Sequence, residues 1–237
     1  MELPVFYAKE LQAAQSQYTM DEPTSKYCVQ VLRKTIGDHV LLTDGNGSKY
    51  EAEIIDDHRK RCVLNILNVT TVPPSHPQLT IAIAFTKNAS RIEWFLEKAV
   101  EIGVQNIIPL ITHRTEKEKL KVERLESILV SAMLQSQQSF ITKLAPATTF
   151  NELVQSCTIS QKFIAHCLPE SKQFLLHVVK PAEDAIILIG PEGDFTPQEI
   201  ELALQQQFTP VSLGNTRLRT ETAGVVAATL LAAKNVE

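Results

Sequence analysis

Ahead of residue 73 the apolar positions come in short alternating runs separated by turn formers. These are Val40-Leu41-Leu42-Thr43, then Asp44-Gly45-Asn46-Gly47, then Tyr50 to Ile55, then Cys62 to Val69. A period of two marks strands with one face buried. Asp-Gly followed by Asn-Gly supplies the positive φ angles that a tight hairpin needs. This part of the chain therefore predicts a small, strand-rich barrel. Pro73-Pro74-Ser75-His76-Pro77 then breaks the pattern, since each proline removes a backbone donor. It sets a boundary between a first domain, residues 1–72, and a second, residues 73–237.

Beyond that boundary the texture changes. Nearly continuous apolar runs lie at Leu79 to Phe85, Ile107 to Ile111, Phe163 to His166, Ala185 to Ile189 and Pro210 to Leu213. Between them the spacing turns helical. Ile92, Phe95, Leu96, Ala99 and Val100 recur at i, i+3, i+4, as do Leu125, Ile128, Leu129, Ala132 and Met133, each set forming one buried face. Strands alternating with helices predict a mostly parallel α/β sheet. There is no internal repeat and no low-complexity segment.

Composition narrows the class. A chain of 237 residues that is 44% hydrophobic and 21% charged has the material for a packed core and for two domains rather than a disordered tail. No apolar run approaches the roughly 20 residues of a membrane helix. The N-terminus carries Glu2 and no sustained apolar stretch, which argues against a secretory signal, so a cytoplasmic location is expected. Cys28, Cys62, Cys157 and Cys167 include no CxxC pair, and the six histidines show no ligand spacing. Reduced, mostly buried thiols and no metal site are expected. A net charge of −4 argues against nonspecific coating of nucleic acid, but not against an enzyme reading one structured site. Arg59-Lys60-Arg61, Arg33-Lys34, and the pair Lys87 and Arg91 are either solvated surface charges or RNA contacts.

Candidate chemistry concentrates between Ile187 and Ala223. The strand ending at Ile189 runs into Gly190-Pro191-Glu192-Gly193, which is where an open α/β sheet binds ligands, beyond the carboxyl ends of its strands. A helix restarts with Thr196 as N-cap, Pro197 at its first position and Glu199 three residues after the cap, a capping box with a favourable proline. That loop alone fits equally a plain strand-to-helix connection. A second loop alters the balance: Gly214 closes the strand Pro210 to Leu213 and leads through Asn215 to Ala223 into a small-residue helix, Gly224 to Ala233. Half of the eight glycines lie between 190 and 224, so close backbone approach is possible where the two loops end. There is no GxGxxG, no GxxxxGK[ST] and no GxSxG, which disfavours classical dehydrogenases, NTPases and esterases.

LIGPEGDF at 188–195 followed by SLGNTRLRTETA at 212–223 resembles the paired signature of the RsmE family of 16S ribosomal RNA uridine-N3 methyltransferases, within the SPOUT superfamily. Cys28-Val29-Gln30-Val31-Leu32-Arg33 with Gly37-Asp38, and Lys87 with Glu97-Lys98-Ala99-Val100-Glu101-Ile102-Gly103, extend the resemblance over nearly the whole chain. It implies a PUA-like β-barrel that helps hold RNA, followed by a SPOUT α/β domain whose C-terminal segment threads a trefoil knot, an exception to the rule against threaded loops. It further implies a homodimer, S-adenosylmethionine as cofactor, and 16S rRNA in the small ribosomal subunit as partner, with no membrane and no metal. By the same resemblance, His166, Leu188, Gly190, Pro191, Glu192, Gly193, Leu213, Gly214 and Leu218 are the residues expected to line the cofactor pocket.

Uridine N3 carries a proton and is a poor nucleophile until it leaves. Arg219 is expected to face the uracil and stabilise charge developing on its carbonyl oxygens, with Glu221 orienting Arg219 or assisting proton removal. The alternative is that Arg219 and Glu221 form an ion pair bracing the knot. Arg33, Lys87 and Arg91 are the expected RNA contacts. Two positions depart from the family pattern: Asp194 stands where many relatives have a third glycine, offering a carboxylate near a helix start, and Gln138 stands near a frequent arginine. Two rival functions stay open: a noncatalytic RNA-binding dimer with a degenerate pocket, and an α/β enzyme of another adenosine-containing cofactor.

Overall fold

The computed structural model describes residues 3–116, 121–169 and 172–235. The chain forms two compact units, Met1–Pro74 with Met133–Ile141, and Ser75–Ala132 with Thr142–Glu237. Among the described residues no helix is long and apolar enough to cross a membrane, and no cluster of three or more His, Cys, Asp or Glu residues could hold a metal ion.

In the first unit the alternating runs become strands: β1 (Val5–Tyr7), β2 (Gln17–Thr19), β3 (His39–Thr43), β4 (Ser48–Asp56) and β5 (Val63–Thr71), with helix α1 (Glu22–Lys26) continuing as a wider π-turn over Tyr27–Val31. The spatial order is β1-β3-β4-β5-β2. β1 runs parallel to β3 and the other pairs are antiparallel. The sheet is open, since no ladder joins β1 to β2 among the described residues. β4 shows why alternation predicted strands, because Tyr50, Ala52 and Ile54 are buried while Lys49, Glu51 and Glu53 are not. The buried side chains meet Val40, Leu42, Leu64, Cys28 and Cys62 in one core. The hydrogen bond that its own S–H donates to Cys28, together with burial, pushes the Cys62 thiol up, so it stays protonated.

The β3–β4 turn is the Asp-Gly-Asn-Gly segment. Asp44 Oδ1 accepts from Asn46 N at 2.7 Å and Ser48 N at 3.0 Å, and Gly45 and Gly47 hold φ of 71° and 102°. A later piece of chain packs on this turn: Gly47 N donates to Ser139 O, and Ile141 N to Gly45 O, each at 2.9 Å. Gly47 is thus fixed twice, by its φ and by space, since a β-carbon there would meet the Phe140 ring and lie 2.8 Å from Val72 O. Gly47→Ala is expected to cost about 2 to 3 kcal/mol, from left-handed strain plus the clash. A thermal midpoint unchanged from the parent would show that Phe140 does not pack there.

The second unit is built as β6 (Leu79–Ile83), α2 (Ala89–Ile102), β7 (Asn106–Ile111), α3 (Val122–Gln135), β8 (Lys143–Leu144), β9 (Thr148–Thr149), α4 (Phe150–Ser156), β10 (Gln161–Ala165), β11 (Gln173–Phe174), α5 (Leu175–Val178), β12 (Ala185–Ile189), α6 (Pro197–Gln205), β13 (Thr209–Ser212) and α7 (Thr220–Ala233). Its sheet runs β11-β13-β10-β12-β6-β7-β8, with β9 on β7, and every pair is parallel. All residues of β6 and β12 are buried, as expected of central parallel strands covered on both faces. All five apolar residues of the α2 face are buried, and that helix stops at Gly103 with φ 93°, a left-handed C-cap. α6 starts with the full Thr196–Glu199 capping box and Pro197 at its first turn. α7 packs on α2 and β6, with Gly224 against Phe95 and Ile83.

Candidate functional site

β13, β10 and β12 are parallel neighbours in the sheet, so the loops leaving their carboxyl ends emerge at one edge. The sequence linked two of these loops; the strand between them, β10, contributes the third. A cavity of about 880 Å³ opens there, walled by residues 166–169, 189–192 with Asp194, and 211–220, with Arg91 of α2 and Lys172 adding their side chains. This is the position the open-sheet rule assigns to a ligand, and the volume falls in the range of small-molecule sites.

Seven of the nine expected pocket residues line this cavity: His166, Gly190, Pro191, Glu192, Leu213, Gly214 and Leu218. Leu188 lies one strand position behind it, fully buried in the core that also holds Phe195 and Ile200. Gly193 lies beside the lining; its carbonyl accepts from Arg114 Nη1, whose side chain comes within 3.2 Å of where a β-carbon would sit.

Arg219 is in the cavity wall as the N-cap residue of α7. Its backbone carbonyl accepts from Ala223 N, while its exposed guanidinium has no hydrogen-bond or ion-pair partner among the described residues. Glu221 is elsewhere: it is 6% exposed, does not line the cavity, and sets Oε1 3.5 Å from Arg91 Nε. Its other oxygen has no hydrogen-bond partner among the described residues. The Arg219–Glu221 ion pair, the alternative to a catalytic role, is therefore not formed, because the nearer cation, Arg91, reaches the carboxylate from α2. Arg91 also donates from Nη1 to Glu192 Oε1 at 3.2 Å, so it joins the Gly190–Gly193 loop to the start of α7. Thr220 Oγ1 makes a second link by donating to Gly190 O at 3.2 Å.

Of the other two expected RNA contacts, Lys87 is exposed and paired with Glu116, and Arg33 is exposed in the first unit at φ 54°. Removing Arg91 leaves a buried carboxylate without its cation. Arg91→Met is expected to cost about 2 kcal/mol, the penalty of a broken buried pair reduced because Arg91 is one-third exposed. Glu221→Gln in the same chain should recover most of it, and a double-mutant cycle in thermal unfolding measures the coupling.

Several functional positions had no signal in the periodicity. Lys172 Nζ donates to His166 O at 2.7 Å and Leu168 O at 2.5 Å, fastening the loop after β10, and lies 3.5 Å from His166 Nδ1. Asp194 bonds to that same loop. It is not part of the helix cap, which Thr196 and Glu199 complete without it. Arg217 lines the cavity beside Arg219. Cys167, expected among mostly buried thiols, is exposed in the wall, with Cys157 partly so. Cations thus outnumber carboxylates around the cavity, with Arg91, Lys172, Arg217 and Arg219 against Glu192 and Asp194.

Comparison with known proteins agrees with this architecture. Residues 73–232 match the family described as RNA methyltransferase domain, and residues 21–67 match the RNA methyltransferase PUA domain. The chain is similar to the ribosomal RNA small subunit methyltransferase E of Synechocystis sp., 30% identical over 91% of this chain and 73% of that protein. It is similar also to that of Buchnera aphidicola subsp. Acyrthosiphon pisum, 28% identical over 97% and 92%. Among solved structures it resembles a probable rRNA-methyltransferase from Porphyromonas gingivalis, with 36% identity, a TM-score of 0.92 and 98% of each chain covered. A ribosomal RNA small subunit methyltransferase E from Neisseria gonorrhoeae bound to S-adenosyl methionine gives 26% identity, a TM-score of 0.86 and 98% of each chain.

Proposed function

Because this chain belongs to the RNA methyltransferase family of the ribosomal RNA small subunit methyltransferase E proteins, we propose that it methylates N3 of one specific uridine in the 16S rRNA of the small ribosomal subunit. It is a small-subunit rRNA methyltransferase that uses S-adenosylmethionine. The specific uridine and the atom modified are our reading. The observation that carries it is Arg219, a guanidinium without a partner among the described residues, in the wall of a cavity built from three neighbouring strand ends.

The cavity suits the cofactor on its own terms. Its volume of about 880 Å³ leaves room for a nucleoside-sized group and part of a second, and much of its wall is loop backbone at Gly190, Pro191, Leu213 and Gly214, where main-chain groups are within reach. Leu213 and Leu218 supply apolar surface beside them, the usual mixture for a small-molecule site. When bound, S-adenosylmethionine supplies a methyl group already activated on a sulfonium.

The residues of the chain then have to bind the base, orient it and stabilise its changing charge. Arg219 presents a planar fork of donors to the uracil carbonyl oxygens, on which negative charge grows as N3 loses its proton to water. Glu221, tied to Arg91, holds the first turn of α7 and so the residue that carries the fork. Both oxygens of Asp194 are engaged by backbone amides, and Arg91 neutralises Glu192, so the charge facing the substrate is positive.

We assign residues 1–72 to holding RNA, with Arg33 as a contact, and residues 73–237 to methyl transfer in the cytoplasm. The knot and the homodimer belong to the same reading. Supporting the dimer, α7 from Ala223 to Ala233 is apolar apart from Thr229, yet only Gly224, Ala227, Ala228 and Leu231 of its apolar residues are buried, leaving Val225, Val226 and Leu230 partly exposed for a second copy. The deciding assay offers labelled S-adenosylmethionine with unmodified small subunits and, in parallel, free 16S rRNA, followed by digestion and mass identification of nucleosides. N3-methyluridine from the subunits is the expected product. Methylation at another atom would overturn the assignment of N3, and cofactor binding with no transfer would favour a noncatalytic RNA-binding dimer.

A further inference from the structure

Asp194 sits at φ 63°, in the left-handed region where glycine is at ease and most side chains are not. Both oxygens of its carboxylate are used. Oδ2 accepts from Cys167 N at 2.8 Å, Oδ1 accepts from Phe195 N at 2.8 Å, and its own amide donates to Pro191 O at 2.9 Å. Cys167 belongs to the loop after β10 and Asp194 to the loop after β12, and both line the cavity. A single side chain therefore fastens two walls of the pocket together, next to the buried His166. The local fold does not require it, since Thr196 and Glu199 cap α6 without help and glycine would relieve the backbone at 194.

We propose that Asp194 is a positioning residue that locks the His166–Pro169 loop against the Gly190–Asp194 loop before the cofactor arrives. Ligand binding is opposed by the ordering of mobile segments, so a pocket held in its bound shape binds more tightly. Lys172 restrains the same loop through the carbonyls of His166 and Leu168; Asp194 restrains it through an amide. The two act at different backbone groups, so Lys172 alone leaves the Cys167 N–H without its acceptor. The inference rests on the reading that this cavity takes S-adenosylmethionine.

The test uses the full chain, its Asp194→Gly variant and its Asp194→Asn variant. Four quantities are measured: the dissociation constant for S-adenosylmethionine by calorimetry, the thermal midpoint without ligand, hydrogen exchange at the Cys167 amide, and turnover at saturating cofactor. Asp194→Gly is expected to keep or raise the midpoint, to speed exchange at Cys167, and to weaken cofactor binding about tenfold, the scale of one lost charge-assisted hydrogen bond. Turnover at saturating cofactor should stay within about twofold of the parent, a split between KM and kcat that general unfolding would not produce. Asp194→Asn tolerates the left-handed backbone and keeps one acceptor, so it should fall between the two, and it carries the test if the glycine variant does not fold. A parent that binds S-adenosylmethionine and a variant that binds it equally well would overturn the latch alone. A parent that binds none would overturn the assignment of the cavity, and the latch with it.

Discussion

Arg219→Lys is expected to lower turnover on small subunits about 100-fold, the scale of losing one preorganised donor to developing charge, with little change in S-adenosylmethionine affinity or in stability. The stability half follows from the surroundings. The guanidinium is exposed and makes no hydrogen bond or ion pair with the described residues that lysine would forfeit, and its role as N-cap runs through its carbonyl, which any residue supplies. Such a surface change stays within about 0.5 kcal/mol. The kinetic half follows from shape: an ammonium keeps the charge but cannot put two parallel N–H groups on a flat base edge. Single-turnover assays with saturating cofactor isolate this step. Cofactor affinity falling in step with the rate would place Arg219 in the cofactor wall, and an unaltered rate would remove it from the reaction.

Gly224→Val should give the largest loss of stability. On helix propensity alone glycine is about 1 kcal/mol worse than alanine, so a side chain at 224 would be favourable if there were room. There is none, since a β-carbon would stand 2.6 Å from Phe95 Cε2 and 2.8 Å from Ile83 Cδ1, and both neighbours are buried. Overpacking dominates, at about 3 kcal/mol for valine, which lowers the thermal midpoint by about 10 °C for a chain of this size. Gly224→Ala should lose less, and Phe95→Leu should partly rescue it, giving a favourable coupling in a double-mutant cycle. A valine variant that melts with the parent would mean α7 does not lie this close to α2. The same contact bears on function, because α7 begins at the residues that wall the cavity.

Periodicity located what depends on neighbours in sequence. The runs around β6, β7, β10, β12 and β13, the buried face of α2, the Asp-Gly-Asn-Gly hairpin and the Thr196 capping box are all set by spacing and turn chemistry, and each appears within a residue or two of its expected place. The two-residue strands β8, β9 and β11 carry no pattern of their own and exist by pairing with a formed edge. Likewise, nothing around Phe140 announces that residues 133–141 will join a turn nearly a hundred positions earlier. At the site, glycine loops after strands were legible because the sheet topology fixes where they emerge. Which cation answers Glu221 was not: Arg219 is two residues away in sequence, yet Arg91, from another helix, is the one in reach. Asp194 was visible only as an unusual residue, since its partner amide lies on a different loop.

The strand order has a consequence for synthesis of the chain. β6 is made early, but its neighbour on one side is β12, with Leu79 opposite Ala185, roughly a hundred residues later. At about 5 to 20 residues per second, β6, all of whose residues are buried in the finished fold, waits some 5 to 20 seconds on the translating ribosome with that edge unpaired, and β10, made in the interval, cannot take the place because β12 must lie between them. Parallel pairings of such long sequence separation form slowly. Nascent chains halted before residue 185 should therefore aggregate or recruit a holding chaperone, while chains released after α7 should not.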